Sequence, residues 1–350
     1  MHTKIHWFFL LLIAPLLGFL FAFQEENPFI LDNATTALAF PSDPLTEQMD
    51  YVYEQIKGSQ ELITKIQTGA ELEKKEMEEQ QQQLDQLLAA SQSQVKRSED
   101  VLDQILSSML GKPIGQTFGK RATIKVFSLE ESGYKGFMAK VKLHDPHALK
   151  MVLAKDSLTS KGETTSQAAK RKQAVLAVNA GGFMKNAQGA SVPLGITVVD
   201  GQIKTFSTSN TLSFVGFNQQ GRLVGGKIQS REQLEKMGIL QGASFLPTLL
   251  EGGRKVPIPK DWANKKHPRT LIGHFSNGDL LMIVIDGRRK GWSEGVTLEE
   301  AQQKLLEFKV RDAYNLDGGG SSAFYYDGKI RNRPSDGKER PVSTNIVILP

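Results

Sequence analysis

Four stretches of the sequence contain an apolar run next to an abrupt polar, glycine-rich segment. They are AVLAVNAGGF (174–183), HPRTLIG (267–273), LLMIVIDGRRKGWSEG (280–295) and AYNLDGGGSS (313–322). In all but the second, the polar segment follows the predicted strand. Strand ends hold side chains rigidly and small neighbours leave space for a ligand, so such ends are natural walls of a binding site. A strand that ends in a glycine turn is also common as pure structure, so each stretch alone is ambiguous.

Taken together, these stretches contain the residue types needed to cleave a sugar–phosphate bond. Asp286 and Asp317 supply carboxylates, which stabilise an oxocarbenium-like transition state at the anomeric carbon. Arg269, Arg288 and Arg340 supply guanidinium groups, whose planar donors match phosphate oxygens. A phosphate leaving group is already acidic, so it needs neutralising charge more than a proton. We therefore predict that Asp286, Asp317 and Arg269 are catalytic.

The run from Asp317 to Ser322 has two interpretations. It is either a tight turn between strands or a cradle whose backbone N–H groups and hydroxyls hold an anion. A flexible run of three glycines loses much conformational entropy on ordering. Because this loss is unfavourable, we expect the run to have a function that explains its presence. The cradle interpretation adds Asn179 as a group that binds hydroxyls. The predicted substrate-binding residues are Asn179, Gly181, Gly182, Arg288, Gly318, Gly319, Ser321, Ser322 and Arg340.

Several other chemistries lack their residues or motifs. The chain has no cysteine, which excludes disulfides, thiolate metal sites and a cysteine nucleophile. GxxxxGK[ST], GxSxG and HExxH are all absent. His144 and His147 in HDPH suit a helix entrance at Asp145–Pro146 better than a metal site. No cofactor is required by this interpretation, although Asp317 with neighbouring oxygens could instead bind Ca²⁺ or Mg²⁺.

The N-terminus contains an apolar run from Ile5 to Phe23, about as long as the roughly 20 residues that span a bilayer. Lys4 precedes the run, and acidic residues follow it, so the positive-inside bias predicts a cytoplasmic N-terminus with the rest extracytoplasmic. We predict a membrane anchor over residues 1–24 and a linker over residues 25–44. A cleaved signal peptide is the alternative, but the small-x-small site at Ala37–Ala39 lies far beyond the run.

Residues 45–110 show a broken seven-residue apolar pattern. One register contains Met49, Ile56, Ile63, Ala70, Met77, Leu84 and Ile105. The pattern predicts a coiled-coil stalk, which would allow homo-oligomers. Glutamine and glutamate runs leave a solvated helix or a partly disordered linker as alternatives.

The net charge of the chain changes from negative to positive at about residue 110. Residues 45–110 carry six basic against thirteen acidic side chains, whereas residues 111–350 carry 36 against 21. A basic extracytoplasmic domain should attract anionic polymers such as phosphate-bearing envelope glycans. No nucleic-acid-binding motif accompanies the charge, so nucleic acid is not a predicted partner.

The residues after the predicted stalk are expected to form many short strands and few helices. Strands are predicted from the following segments: ATIKVFSL, GFMAKVKL, AVLAVNA, GITVVDGQI, LSFVGFN, LLMIVIDG, DAYNLDG and STNIVIL. Helices are predicted at DPHALKMVLAKD, TTSQAAKRKQ, SREQLEKMG and TLEEAQQKLLEF, the last with a capping box at Thr297 and Glu300. This alternation predicts a strand-rich, mixed-sheet α+β domain over residues 120–350.

These residues resemble a known family. The block from Ile285 to Ile348, with VNAGGF and HPRT upstream, is similar to the phosphodiester glycosidase domain, and the likeness covers roughly residues 120–350. Its most specific part combines NLDGGGSS with the following NRPSDGKERPV. One departure is Met184–Lys185 after VNAGGF, where an aromatic and often an acidic residue are expected.

The resemblance implies hydrolysis of a sugar that is linked through its anomeric carbon to a phosphodiester. The pocket residues that it implies are Asn179, Gly181, Gly182, Arg269, Asp286, Gly287, Arg288, Asp317, Gly318, Gly319, Ser321 and Arg340. The expected protein is therefore a membrane-anchored extracytoplasmic hydrolase acting on envelope glycans or exopolysaccharide. A non-catalytic module that binds glycan or teichoic acid is one alternative, and a metal-dependent phosphodiesterase is another.

Overall fold

The computed structural model describes residues 42–209 and 211–350. The predicted membrane anchor (1–24) and all but the last three residues of the predicted linker lie outside the described residues. Within the described ranges, no helix combines the length and the apolar character needed to cross a membrane. The described residues divide into two units between Leu87 and Leu88, and the second unit extends to Pro350.

The α-helices are few. They are α1 (Ser42–Leu110), α2 (Thr165–Arg171), α3 (Arg231–Lys236) and α4 (Leu298–Glu307). The capping box predicted for α4 is present, since Thr297 accepts from the Glu300 N–H and Glu300 accepts from the Thr297 N–H. The predicted stalk is one continuous helix, and its apolar residues are exposed along the first unit. Ile56, Ile63 and Leu84 are about half exposed, at 52%, 54% and 50%.

The C-terminal end of α1 belongs to the second unit. Leu106 and Leu110 are buried in a cluster with Phe127 and Met138. The Asp103 carboxylate forms salt bridges with Lys140 and with Lys125, at 2.5 and 2.6 Å. The compact unit therefore begins inside the helix, upstream of the residue 120 expected from the sequence.

The described residues form twenty strands. In chain order these are β1 (Gly115–Phe118), β2 (Ala122–Glu131), β3 (Tyr134–Leu143), β4 (Leu149–Leu153), β5 (Leu176–Asn179), β6 (Phe183–Lys185), β7 (Ser191–Pro193), β8 (Thr197–Val199), β9 (Gln202–Thr205), β10 (Ser213–Asn218), β11 (Leu223–Gly226), β12 (Ile239–Phe245), β13 (Thr248–Glu251), β14 (Arg254–Lys255), β15 (Arg269–His274), β16 (Leu280–Ile285), β17 (Asp312–Leu316), β18 (Phe324–Tyr326), β19 (Lys329–Ile330) and β20 (Thr344–Ile348).

These strands assemble into four sheets. The largest has the order β1-β2-β3-β16-β15-β17-β13-β14, two five-stranded sheets have the orders β11-β10-β12-β8-β9 and β19-β18-β5-β20-β4, and β6 pairs with β7. The strand-rich α+β fold is confirmed. The paired strands are antiparallel rather than mixed.

One predicted helix is wrong. The segment DPHALKMVLAKD forms strand β4 between two short 3₁₀ turns, and β4 pairs with β20. Asp145 still caps the backbone N–H of His147, as its position before Pro146 suggested. The apolar side chains of β4 are buried, so tertiary pairing outweighs the helical spacing of the segment.

The order of β15, β16 and β17 explains why distant segments meet. These strands are neighbours, and Arg269 at the start of β15 lies opposite Ile285 at the end of β16. Thr270 lies opposite Leu316 at the end of β17. Antiparallel pairing therefore brings HPRT, IDGR and LDGGG to one end of one sheet.

Candidate active site

A cavity of about 250 Å³ lies at this end of the large sheet. Its lining combines one carboxylate, three guanidinium groups, an imidazole, two aromatic rings and a glycine run. The lining residues are Phe245, Trp262, His267, Arg269, Arg288, Asp317, Gly318, Gly319, Gly320 and Arg340. Cationic side chains outnumber the single carboxylate, so an anion is favoured in this space.

Asp317 is the carboxylate of the cavity. It follows β17 directly, and its Oδ1 accepts a hydrogen bond from the Gly318 N–H at 3.0 Å. Burial raises the pKa of Asp317 to about 6, against the opposing effects of Ser321, the Gly318 N–H and the positive charge of Arg340. The Ser321 hydroxyl is close enough to oppose the shift but makes no hydrogen bond of ordinary geometry. Asp317 can therefore exchange a proton close to neutral pH.

Arg269 is buried, and none of the side chains that the structure describes places a carboxylate within ion-pairing distance of it. Its Nε donates to the Val296 carbonyl at 3.2 Å, and its Nη2 donates to the Lys265 carbonyl at 2.9 Å. Burial, together with the nearby charge of Arg288, lowers the pKa of Arg269 to about 10. A buried cation without an ionic partner is costly, and a bound anion would offset that cost.

Arg288 contacts His267 rather than an acid. Its Nη2 lies 3.2 Å from Nδ1 of His267. Burial lowers the pKa of His267, and Arg288 and Arg269 lower it further. The ring is therefore neutral at physiological pH, and Nδ1 accepts the hydrogen bond.

Arg340 reaches the cavity from the loop that follows β19. Its Nη2 donates to Asp336 at 2.7 Å, and this contact fixes one end of the guanidinium. Asp336 thus orients a cavity residue. Arg340 is one of the residues that line the cavity.

The glycine run makes room for the arginines. A Cβ on Gly320 would lie 2.1 Å from Arg340 Nη2, and one on Gly319 would lie 3.3 Å from both terminal nitrogens of Arg288. The N–H groups of Gly318 and Gly319 are already used by Asp317 and the Pro268 carbonyl. These two amides are therefore not free to hold an anion as the cradle interpretation expected.

Four cavity residues were absent from the sequence prediction. His267 and Gly320 lie within quoted motifs, so the motif boundaries gave a signal for them. Phe245 and Trp262 lie outside those motifs, and their rings meet edge to face with centroids 6.1 Å apart. Such a wall suits the apolar face of a sugar ring.

Asp286 does not line the cavity. It is 1% exposed, and its carboxylate accepts from Trp292 Nε1 at 2.9 Å, from Asn332 Nδ2 at 3.0 Å and from the Arg333 N–H at 3.0 Å. Burial raises its pKa, although these donors act in the opposite direction. The expectation that Asp286 and Asp317 share one cavity is therefore corrected, because the Asp286 oxygens are occupied in joining two loops. Gly287 lies beside it, packed against Pro268.

Asn179, Gly181 and Gly182 also lie outside the cavity and support its walls. Asn179 is fully buried, donates to the Asp317 carbonyl and accepts from Thr270 Oγ1 at 2.7 Å. The Gly181 N–H donates to Thr344 Oγ1 at 3.0 Å, and a Cβ on Gly182 would lie 2.7 Å from the Phe245 ring. These residues position Asp317 and Phe245 and do not line the cavity themselves.

Ser321 and Ser322 lie behind the glycine run. Both are 1% exposed, and Ser322 Oγ accepts from Thr270 at 3.3 Å. They were predicted to bind substrate, but the cavity lining does not include them.

The cavity does not suit a hard divalent cation. Ca²⁺ and Mg²⁺ require several oxygen ligands, whereas this lining has one carboxylate among three guanidinium groups. Among the residues that the structure describes, no cluster of three histidine or acidic side chains is placed to hold a metal.

The part of the chain that forms this cavity matches a known protein family. The family model described as "Phosphodiester glycosidase" matches residues 172–349. The chain belongs to this family. The matched range includes every residue of the cavity, so the phosphodiester glycosidase domain carries the site.

Relatives of known sequence agree with this membership. The chain is 31% identical over 195 residues to the SPbeta prophage-derived uncharacterized protein YomE of Bacillus subtilis (strain 168), covering 54% of this chain and 30% of that protein. It is 28% identical over 172 residues to human N-acetylglucosamine-1-phosphodiester alpha-N-acetylglucosaminidase, covering 45% of this chain and 33% of the enzyme. The chain thus spans about a third of the length of the curated relatives it matches.

Solved structures share the fold. The zebrafish N-acetylglucosamine-1-phosphodiester alpha-N-acetylglucosaminidase catalytic domain gives a TM-score of 0.55 at 22% identity, over 67% of this chain and 85% of that one. A hypothetical protein from Synechocystis gives 0.55 at 15% identity, over 68% and 64%. This chain therefore shares its fold with proteins to which it is only 22% and 15% identical.

Proposed function

We propose that this protein hydrolyses a sugar-1-phosphodiester, releasing the free sugar and a phosphomonoester. One observation carries the proposal: a single carboxylate, Asp317, shares a small cavity with Arg269, Arg288 and Arg340. Three cations match the charge of a departing phosphate, and one carboxylate matches the positive charge that develops at the sugar. The mammalian relatives are named for an activity of the same reaction class, which supports the proposal.

In the proposed mechanism Asp317 acts in its ionised form. Its carboxylate stabilises the developing oxocarbenium ion and accepts a proton from the water that attacks the anomeric carbon. The bond between the anomeric carbon and the phosphate oxygen breaks, and its electron pair leaves with the phosphate. The proton held by Asp317 returns to solvent. A pKa of about 6 leaves most of the Asp317 carboxyl ionised at pH 7.

The arginines neutralise the leaving group. Their guanidinium groups are held before substrate arrives, Arg269 by two backbone carbonyls and Arg340 by Asp336. Donors fixed in advance need no reorganisation during the reaction, which is the main source of electrostatic catalysis. The aromatic wall of Phe245 and Trp262 would contact the sugar.

The proposed setting is the bacterial cell envelope. The excess of basic residues after residue 110 favours a phosphate-bearing glycan or exopolysaccharide as substrate. The apolar N-terminal run supports attachment to the cell membrane, with the catalytic domain outside. Fractionation of cells that express the full chain, followed by protease treatment of intact spheroplasts, tests this. Recovery in the soluble fraction or complete protease protection would contradict it.

The apolar stripe of α1 supports a homo-oligomer through a coiled coil. Ile56 and Ile63 are seven residues apart and both are more than half exposed. The full chain is expected to elute as an oligomer in light-scattering chromatography, and Ile56→Asp with Ile63→Asp should shift it to a monomer. An unchanged mass would remove the coiled coil from the proposal.

The reaction is tested with the full chain and methyl α-N-acetylglucosamine-1-phosphate as a sugar-1-phosphodiester. Free reducing sugar is the expected product, and in ¹⁸O-water the label should appear in the sugar. Label in the phosphate would instead indicate a phosphodiesterase that cuts the P–O bond. Binding without turnover, measured by calorimetry, would indicate the non-catalytic module. Asp317→Asn is the matched inactive control.

A further inference from the structure

Glu339 comes directly before the cavity residue Arg340 and is bonded to another part of the fold. Its Oε1 accepts a hydrogen bond from the Ser166 N–H at 2.9 Å, and its Oε2 accepts one from the Ser166 hydroxyl. Ser166 lies in the first turn of α2. Hydrogen bonds to a carboxylate are stronger than those between neutral groups, and two bonds to one residue also fix direction. The chain next to Arg340 is therefore tied to α2.

The chain on the other side of Arg340 is bonded to the loop that precedes α2. Val342 exchanges two backbone hydrogen bonds with Glu163, at 3.0 and 3.1 Å. Pro341 packs so closely against Gly162 that a Cβ on this glycine would lie 2.9 Å from the Pro341 Cβ. The short segment that carries Arg340 is therefore held on both sides by one region of the fold.

This region is itself fixed relative to the cavity. The Glu163 carboxylate is buried and accepts from Arg171 Nε at 2.8 Å and from Arg171 Nη2 at 2.7 Å. In α2, Thr165 Oγ1 donates to Asn345 Oδ1 of β20 at 2.7 Å. Asn345 lies opposite Asn179 of β5, which supports the cavity from outside. Contacts made by α2 therefore position a side chain relative to the cavity walls.

The ion pair of Arg340 orients its guanidinium but contributes little energy. The side chains of Arg340 and Asp336 are 42% and 40% exposed. Exposed ion pairs stabilise weakly, because water screens the charges and long side chains lose rotamer entropy on pairing. The position of the Arg340 backbone therefore depends on the bonds on either side of it. Of these, the Glu339 contact is the one that a side-chain substitution removes while the backbone pairing of Val342 remains.

We propose that Glu339 is a positioning residue, which holds Arg340 at the cavity through its two bonds to Ser166. The kinetic test of this inference rests on the proposed function, whereas its binding test does not. Donors that are held in place before a ligand arrives need no reorganisation when charge develops. Without Glu339, Arg340 keeps its charge but occupies a wider range of positions.

The kinetic test uses the full chain and methyl α-N-acetylglucosamine-1-phosphate. We expect Glu339→Ala to lower kcat/KM about tenfold through one misplaced donor. Glu339→Gln should stay within about threefold of the wild type, because its amide oxygen still accepts from the Ser166 N–H and the Ser166 hydroxyl can accept from its NH₂ group. Lys338→Ala, an exposed change one residue earlier, is the matched control and should leave the rate unchanged. A wild-type rate in Glu339→Ala, or no rescue by Gln, would overturn the inference.

A double-mutant cycle separates positioning of Arg340 from general damage to the fold. In an Arg340→Ala background, Glu339→Ala should change kcat/KM less than about twofold, since the side chain that it positions is gone. The same loss in both backgrounds would show that Glu339 acts by another route and would overturn the inference. A wild-type rate in Arg340→Ala alone would also overturn it. All rates are measured well below the Tm of each variant, so that folded proteins are compared.

The two proposals fail in different ways. If the wild type does not hydrolyse the methyl ester, the proposed function fails, and calorimetry of inorganic phosphate with the full chain then tests Glu339 alone. Phosphate binding that Glu339→Ala weakens about tenfold, as for a misplaced charged donor, and that Lys338→Ala leaves unchanged would support the inference. Equal binding by the wild type and Glu339→Ala, or no binding by either, would overturn it. If both hydrolyse the ester equally fast, the function stands and the positioning role is rejected.

Discussion

Arg288 Nη2 lies 3.2 Å from Nδ1 of His267, so this guanidinium faces a neutral ring nitrogen instead of a carboxylate. The contact orients Arg288 without cancelling its charge. Arg269 is likewise held by carbonyl groups, at 2.9 and 3.2 Å. Two of the three cavity cations thus keep their full charge for a ligand, with Asp317 beside them.

Replacement of Asp317 by Asn should abolish activity and stabilise the domain at alkaline pH. The folded-state pKa of about 6 lies above the usual value of 3.8, so folding favours the protonated carboxyl. The stability that the carboxyl contributes is complete below pH 3.8 and is lost as the pH rises through 6. We expect a gain on the order of 1–3 kcal/mol at pH 8, since two pKa units correspond to about 2.7 kcal/mol.

Melting curves of the wild type and Asp317→Asn between pH 4 and pH 8 check this. The difference in Tm should approach zero near pH 4 and grow towards pH 8. Sugar release should fall by about 10³-fold, as for other lost catalytic groups. A Tm difference that does not vary with pH would show that folding does not raise the pKa of the Asp317 carboxyl.

The pH profile should report one ionisation near 6. If ionised Asp317 is required, kcat/KM falls about tenfold per pH unit below that value. His267, whose pKa is lowered from its usual 6.5, changes charge at lower pH than usual. His267→Gln should therefore lower the rate but leave the acidic limb in place. Loss of that limb in the variant would assign the proton to His267.

Gly320→Ala should reduce activity through Arg340. The added Cβ would lie 2.1 Å from Arg340 Nη2 and 2.2 Å from the Asp336 oxygen that holds it, so this ion pair must move. A 10- to 100-fold loss of kcat/KM is expected from one misplaced donor, as for oxyanion-site donors. In an Arg340→Ala background the same glycine change should cost much less, since its target is gone. Additive losses would show that Gly320 acts by another route.

Asp286→Asn should affect stability more than chemistry. The amide places an NH₂ group against donors from Trp292, Asn332 and Arg333, so buried donors lose their acceptor. A destabilisation of about 2–4 kcal/mol is expected. Urea unfolding measures it, and kcat/KM well below the Tm should stay within tenfold of the wild type. A stable but inactive variant would return Asp286 to the catalytic residues.

Removal of residues 88–110 should destabilise the second unit. Leu106 and Leu110 belong to its core, and Lys140 would lose its bond to Asp103 while still paired with Asp279. Chains that begin at residue 88 and at residue 111 are compared by urea unfolding. We expect the shorter chain to lose at least about 4 kcal/mol, as two buried leucines would predict. Equal urea midpoints for the two chains would show that residues 88–110 do not stabilise the second unit.

The sequence alone indicated the family, many but not all of the twenty strands, and six of the ten residues that line the cavity. Strands such as β16 are continuous apolar runs, and the capping box of α4 is a local signal, so neither depends on distant contacts. The motifs around Arg269, Arg288 and Asp317 were visible because glycine and charge interrupt those runs. The β4 segment was misread because its strand form depends on pairing with β20.

Only the tertiary structure separated cavity residues from their supports. Asp286 and Asp317 both follow a buried strand, and no local pattern distinguishes them. Asp286 accepts hydrogen bonds from residues 292, 332 and 333, whereas Asp317 lines one cavity together with the arginines. Phe245 and Trp262 were invisible for the same reason. A side chain's role depends on which distant atoms surround it, and sequence spacing fixes only which strand end it occupies.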